Sequence, residues 1–126
     1  MAVGVSLVRY ASASLVAAAI AAPAFAAPVP KPPTFAVCGV CHKTGATDKS
    51  GIGPNLFGVS GRKAGTLAGF TYSPAMKASK VTWTRDKLVA FISDPRKVVP
   101  GTKMIYAGQK DPKVAGALAD YVLSLK

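Results

Sequence analysis

Cys38, Cys41 and His42 stand together in the run Cys38-Gly39-Val40-Cys41-His42, and the chain has no other cysteine or histidine. Two thiols at this spacing can add across the two vinyl groups on one edge of a haem, while the adjacent imidazole turns beneath the iron. Other chemistries fit less well. A disulfide here would close almost no chain and remove little unfolded-state entropy. A thioredoxin-like dithiol needs a sheet, and the sequence offers no strand pattern for one. Zinc needs four ligands, and this cluster supplies three. The residues therefore point to one covalently attached haem c, with His42 as a neutral nitrogen ligand to its iron.

A second axial ligand must come from another residue type, because no second histidine exists. Met104 follows Val98-Val99-Pro100-Gly101-Thr102-Lys103, a stretch whose proline and glycine can hold a loop open across a haem. A methionine is ordinarily core filler, and Met76 reads that way. Met104, at the end of that loop, reads as the sixth ligand. The metal ligands are then His42 and Met104.

Short helices must carry these groups. The segment from Thr34 to Lys43 has room for one holding both cysteines. Residues 48–69 are rich in glycine and turn signals and read as loop. Ser73-Pro74 pairs a cap with a proline in the first turn. Thr84 caps a helix from Arg85 to about Ser93, with Trp83 placed to fold onto Leu88 as a hydrophobic staple. Leu88, Phe91 and Ile92 form its buried stripe, and Pro95 ends it. Asp111-Pro112 opens a last helix reaching about Ser124, with Val114, Leu118, Tyr121, Val122 and Leu125 on one face. The fold class is all-α: a single small domain of short helices and long loops wrapped around one covalent haem.

The first 26 residues give a basic Arg9, a short apolar run and Ala24-Phe25-Ala26, the order of a secretory signal with cleavage after Ala26. The apolar stretch is short against the roughly 20 residues a spanning helix requires, so a retained membrane anchor is the lesser alternative. Residues 27–33 then form a proline-rich arm, and 34–126 the domain. The whole chain carries 16 Lys and Arg against 5 Asp and Glu, and removal of Arg9 still leaves it strongly basic. Such charge attracts anionic partners. Export to a bacterial periplasm and the lack of a nucleic-acid motif favour acidic proteins over nucleic acid.

Beyond these residues the chain resembles class I cytochromes c, in particular the group of mitochondrial cytochrome c and bacterial cytochrome c2. The matching blocks are Cys38 to His42, Gly53-Pro54-Asn55-Leu56-Phe57-Gly58, Gly61-Arg62-Lys63, Gly69-Phe70-Thr71-Tyr72, Thr82-Trp83, Asp94-Pro95, and Pro100 to Gly108. The resemblance implies that the Pro54 carbonyl accepts from His42. It also implies that Arg62, Tyr72 and Trp83 serve the buried haem propionate and that Thr102 closes the pocket near the other. The expected activity is outer-sphere electron transfer between redox complexes, without enzymatic turnover or a small-molecule substrate. Membrane-bound respiratory or photosynthetic complexes are the typical partners. Lys43, Lys63, Lys77, Lys97, Lys103 and Lys110 are candidates for a basic ring steering acidic faces of such partners to the haem edge. The protein reads as a monomer, a permanent subunit of a dehydrogenase or oxidase being one alternative and a haem enzyme or sensor with a labile Met ligand the other.

Three departures from that family stand out. Prolines at 28, 30, 32 and 33 truncate the first helix to one or two turns, so the arm is expected to fold back over Leu118, Tyr121 and Leu125. Phe91 stands where a tyrosine usually reaches the ligating sulfur, which keeps the packing and deletes a donor. Met76 stands where an asparagine is common. Together they predict a drier pocket with an altered grip on Met104.

Overall fold

The computed structural model describes residues 1, 3–4, 19–22 and 27–126. Most of the expected export signal, including the cleavage position after Ala26, lies outside the described residues. Among the described residues five short helices follow one another: α1 Phe35–Gly39, α2 Pro74–Ala78, α3 Arg85–Ser93, α4 Pro95–Val98 and α5 Pro112–Leu123. Among the described residues the only strand-like feature is an isolated antiparallel bridge between Lys63 and Thr82. No helix among them is long and apolar enough to cross a membrane.

Cap chemistry sets most of the helix starts. The Ser73 hydroxyl accepts from the Met76 amide at 3.1 Å, and the Thr84 hydroxyl from that of Lys87 at 3.4 Å. Asp111 Oδ1 accepts from Lys113 N at 2.8 Å and Val114 N at 3.4 Å, satisfying amides that no helical carbonyl can reach. α1 is shorter than the expected 34–43 span. Its first bonds run from Phe35 N to Pro32 O and from Ala36 N to Pro33 O, and its regular pattern gives way after Gly39 into a turn where Cys41 N and His42 N both donate to Cys38 O. α4 is an addition to the expected elements. Pro95, having no N–H, ends α3 and also supplies the first residue of α4, while the Asp94 carboxylate caps Lys97 N at 3.2 Å.

α3 and α5 pack together to form the centre of the core. α3 buries Leu88, Phe91 and Ile92. From the expected face of α5, Leu118 and Val122 are fully buried, whereas Val114, Tyr121 and Leu125 are only half-buried. The rest of the buried surface is small: Ala115, Gly116 and Ala119 let the neighbouring chain come close. A β-carbon on Gly116 would stand 3.2 Å from Arg85 Nη2. Arg85 spans the two helices as a fork onto Asp120, at 2.7 and 3.1 Å, which holds the Asp120 carboxyl below its ordinary pKa.

The proline arm does not provide the cover expected of it. Residues 27–31 lie exposed, and the buried cluster that contains Leu118 includes no residue of the arm. Phe35 does this work instead: it is 1% exposed and meets Tyr121 edge to face at 5.0 Å. Lys31 Nζ sits over the Phe35 ring at 5.3 Å, a cation–π contact tying the end of the arm to α1. One large aromatic in a five-residue helix thus replaces the contact a full helix would make.

Candidate functional site

Cys38 lies in α1 and Cys41 in the turn after it, both half-buried and not joined to each other. Burial raises the Cys38 pKa, a backbone hydrogen bond opposes that rise, and the neighbouring Cys41 adds to it. The turn then delivers His42 inward. Its Nδ1 donates to the Pro54 carbonyl at 2.7 Å, and since a carbonyl can only accept, that nitrogen carries the proton and leaves Nε2 with a free lone pair. Burial lowers the His42 pKa, which favours the neutral ring, and the Pro54 contact acts in the opposite direction. Gly53 makes room for it. A β-carbon there would fall 2.6 Å from His42 Cε1, and Gly53 N also donates to Cys41 O at 2.9 Å.

Asn55 organises the loop behind this histidine and is a residue to which the sequence alone assigned no role. Its side chain is 7% exposed and fully engaged. Nδ2 donates to Gly45 O and Asp48 O, both at 2.8 Å, and Oδ1 accepts from Phe57 N at 2.8 Å. Its backbone amide donates to Ser50 Oγ at 3.0 Å. The one available signal was an asparagine after proline in a glycine-rich loop, a residue able to replace backbone partners with its amide.

Arg62 belongs to the same assembly. Its guanidinium donates to Phe57 O at 3.3 Å and Asn55 O at 3.2 Å, leaving three of its five N–H groups for other acceptors. Backbone bonds from Trp83 N to Arg62 O at 3.0 Å and from Gly61 N to Trp83 O at 3.1 Å set Arg62 and Trp83 side by side. The Tyr72 hydroxyl accepts from Leu67 N at 3.3 Å, and its ring lies 4.8 Å from that of Phe70. No hydrogen bond of Tyr72 to Arg62 or Trp83 occurs.

Met104 is half-buried against the core cluster, as are Cys38, Met76 and Tyr106. Its amide donates to Thr102 Oγ1 at 3.3 Å, and Thr102 N donates to Val99 O at 3.0 Å. Lys103 Nζ reaches across the loop to Thr71 O at 3.3 Å. Phe91 is buried with its ring 5.0 Å from that of Trp83, and both share the buried core cluster with Leu88. The donor set fits a c-type haem: two adjacent thiols, a neutral imidazole with Nε2 unspent, and a thioether on a separate loop facing the same core.

No family model matches the chain. Individual proteins do. Cytochrome c2 iso-2 of Magnetospirillum fulvum is 47% identical over 94 residues, 75% of this chain and 97% of that protein. Cytochrome c-550 of Nitrobacter winogradskyi is 44% identical over 88 residues, 70% of this chain and 81% of that protein. The chain belongs to the class I cytochrome c family. Among solved structures, cytochrome cH from Methylobacterium extorquens superposes with a TM-score of 0.66 at 43% identity, covering 70% of this cytochrome and 88% of that chain. The cytochrome has the all-α fold of its family, carries covalent haem c and acts as an electron carrier.

Proposed function

We propose that Cys38 and Cys41 would hold the haem through two thioethers, that His42 Nε2 and the Met104 sulfur would hold its iron, and that the cytochrome shuttles single electrons between acidic faces of membrane-bound respiratory or photosynthetic complexes. The observation that carries this reading is the 2.7 Å bond from His42 Nδ1 to the Pro54 carbonyl, which fixes the ring and leaves Nε2 for a metal. Haem bound there supplies a one-electron Fe(III)/Fe(II) couple. Everything else is the work of the chain. Pro54 and Gly53 hold the imidazole in one orientation, so little nuclear rearrangement accompanies each transfer. Phe91, Trp83 and Val99 exclude water, which favours the less charged reduced state. Arg62, with Trp83 and Tyr72, serves one propionate and Thr102 closes over the other.

With His42 and Met104 both holding the iron and no nucleophile or general base required, the cytochrome would carry electrons without enzymatic turnover. The excess of Lys and Arg steers acidic partners and makes encounter rates fall as salt rises. Loss of residues 1–26 would place the mature protein in the periplasm as a monomer. An absorption spectrum of the purified mature protein, oxidised and reduced, tests the iron site. Covalent c-type bands with the weak far-red methionine-to-iron feature are expected. A five-coordinate ferrous spectrum would refute it.

A further inference from the structure

The bond that orients His42 is one end of a longer relay. The carbonyl of Pro54 and the amide N–H of Asn55 belong to one peptide group. At its carbonyl end it accepts from His42 Nδ1 at 2.7 Å. At its amide end it donates to Ser50 Oγ at 3.0 Å. A peptide group whose N–H is engaged carries more negative charge on its oxygen, because hydrogen bonds in series polarise one another. The stronger that acceptor, the more imidazolate character the histidine takes on, and the better its opposite nitrogen donates to a metal.

We propose that Ser50 is a positioning residue for the axial histidine, acting through the Pro54–Asn55 peptide to strengthen the His42–Pro54 hydrogen bond and so stabilise the oxidised iron. This rests on the assignment of His42 as an axial ligand. The surroundings make the relay rigid. The Asn55 side chain binds Gly45 O, Asp48 O and Phe57 N, while Arg62 donates to Asn55 O. These bonds hold both the side chain and the following peptide of Asn55, which restrains the Pro54–Asn55 peptide between them. Ser50 is half-buried beside it, so competition from water at the amide is limited.

The relay predicts an effect on the iron that a simple loop anchor would not have. Ser50→Ala removes the amide's acceptor, weakens the Pro54 carbonyl and leaves His42 a poorer donor. Ser50→Thr keeps the hydroxyl, and Ser50→Cys keeps a weaker acceptor of similar shape. The experiment is a redox titration of the three holoproteins beside the unsubstituted one, with the proton resonance of His42 Nδ1 recorded in the reduced state. The expected result is a higher midpoint potential and an upfield Nδ1 proton in Ser50→Ala, values between the two in Ser50→Cys, and restoration in Ser50→Thr. Lowered thermal stability with unchanged potential and unchanged Nδ1 resonance in Ser50→Ala, or in Ser50→Cys should the alanine variant fail to fold, would overturn the relay. That result leaves the axial assignment standing. Failure of the His42 assignment would instead appear in the unsubstituted protein, as a spectrum without the signature of histidine-ligated iron, and would remove both.

Discussion

The two loops that carry His42 and Met104 are built on opposite principles. Behind His42, the loop from Lys43 to Gly58 closes on a buried side chain. Asn55 makes three side-chain hydrogen bonds, Leu56 N donates to Lys43 O at 2.9 Å, and Gly58 N donates to Leu125 O at 2.7 Å, joining the loop to the end of α5. The loop from Val99 to Lys110 has a sparser frame. Thr102 holds the Met104 amide, and two lysines reach backbone carbonyls from exposed positions: Lys103 to Thr71, and Lys110 to Ser93 at 3.1 Å. Buried hydrogen bonds resist opening because their rupture strands polar groups, whereas exposed ones are exchanged for water at little cost. The histidine should therefore stay in place under conditions where the methionine loop opens.

The comparison breaks first at Asn55. Asn55→Ala would strand Phe57 N and the carbonyls of Gly45 and Asp48, and should lower stability by about 3 kcal/mol. Denaturant unfolding checks the size. A loss below about 1 kcal/mol would mean that the His42 loop is no more firmly framed than the Met104 loop.

Gly53→Ala is the next largest. Its new methyl would stand 2.6 Å from the His42 ring, so either ring or loop must move, at about 2 kcal/mol for an overpacked site. Because the strained group is the proposed ligand, the expected signature includes a changed visible spectrum, which Asn55→Ala shows only if the loop fails to hold Pro54. Unchanged spectrum and stability together would show that the ring has space the close contact denies.

How much of this was legible in the sequence depends on the range of the interaction. Ser73-Pro74, Thr84 and Asp111-Pro112 announce their helices because a cap acts within three residues. Asp94-Pro95 reads as a stop, yet the same two residues cap and begin α4, since a proline that ends one helix is preorganised to begin another. The Cys38 to His42 run is legible as a haem site because its chemistry admits few uses. The relay through Ser50 is not. It depends on the orientation of one peptide plane five residues away, and serine in a loop carries no periodicity to mark it. The exposed arm escapes sequence reasoning for a different reason: nothing in Pro28 to Pro33 reveals that Phe35, rather than the arm, meets Tyr121 on α5.

On the methionine side the sharper test is Phe91→Tyr. A hydroxyl reaching the Met104 sulfur would compete with iron for its lone pair, loosening the grip on the oxidised metal. The expected outcome is a higher midpoint potential and a lower pH for loop opening. A neutral hydrogen bond of about 1 kcal/mol corresponds to less than one pH unit. If neither quantity moves, the position does not tune the site, and the looseness of the Met104 loop must be traced to its backbone frame alone.

Lys103→Ala addresses that frame and should have the smallest effect. Its bond to Thr71 O is exposed and solvent-screened, so global stability should change by no more than about 0.5 kcal/mol. The two loops should nevertheless respond unequally. The bond spans from the residue beside Met104 to a separate loop, and its removal frees the methionine segment without touching any partner of Asn55 or His42. A pH-jump measurement should therefore show faster loop opening, while the His42 Nδ1 resonance stays where it was. If the Nδ1 resonance shifts with the opening rate, the two ligand loops form one cooperative unit and the asymmetry between them is only apparent. If opening alone accelerates, the exposed lysine is a latch on the methionine side, and the frame around Asn55 is independent of it.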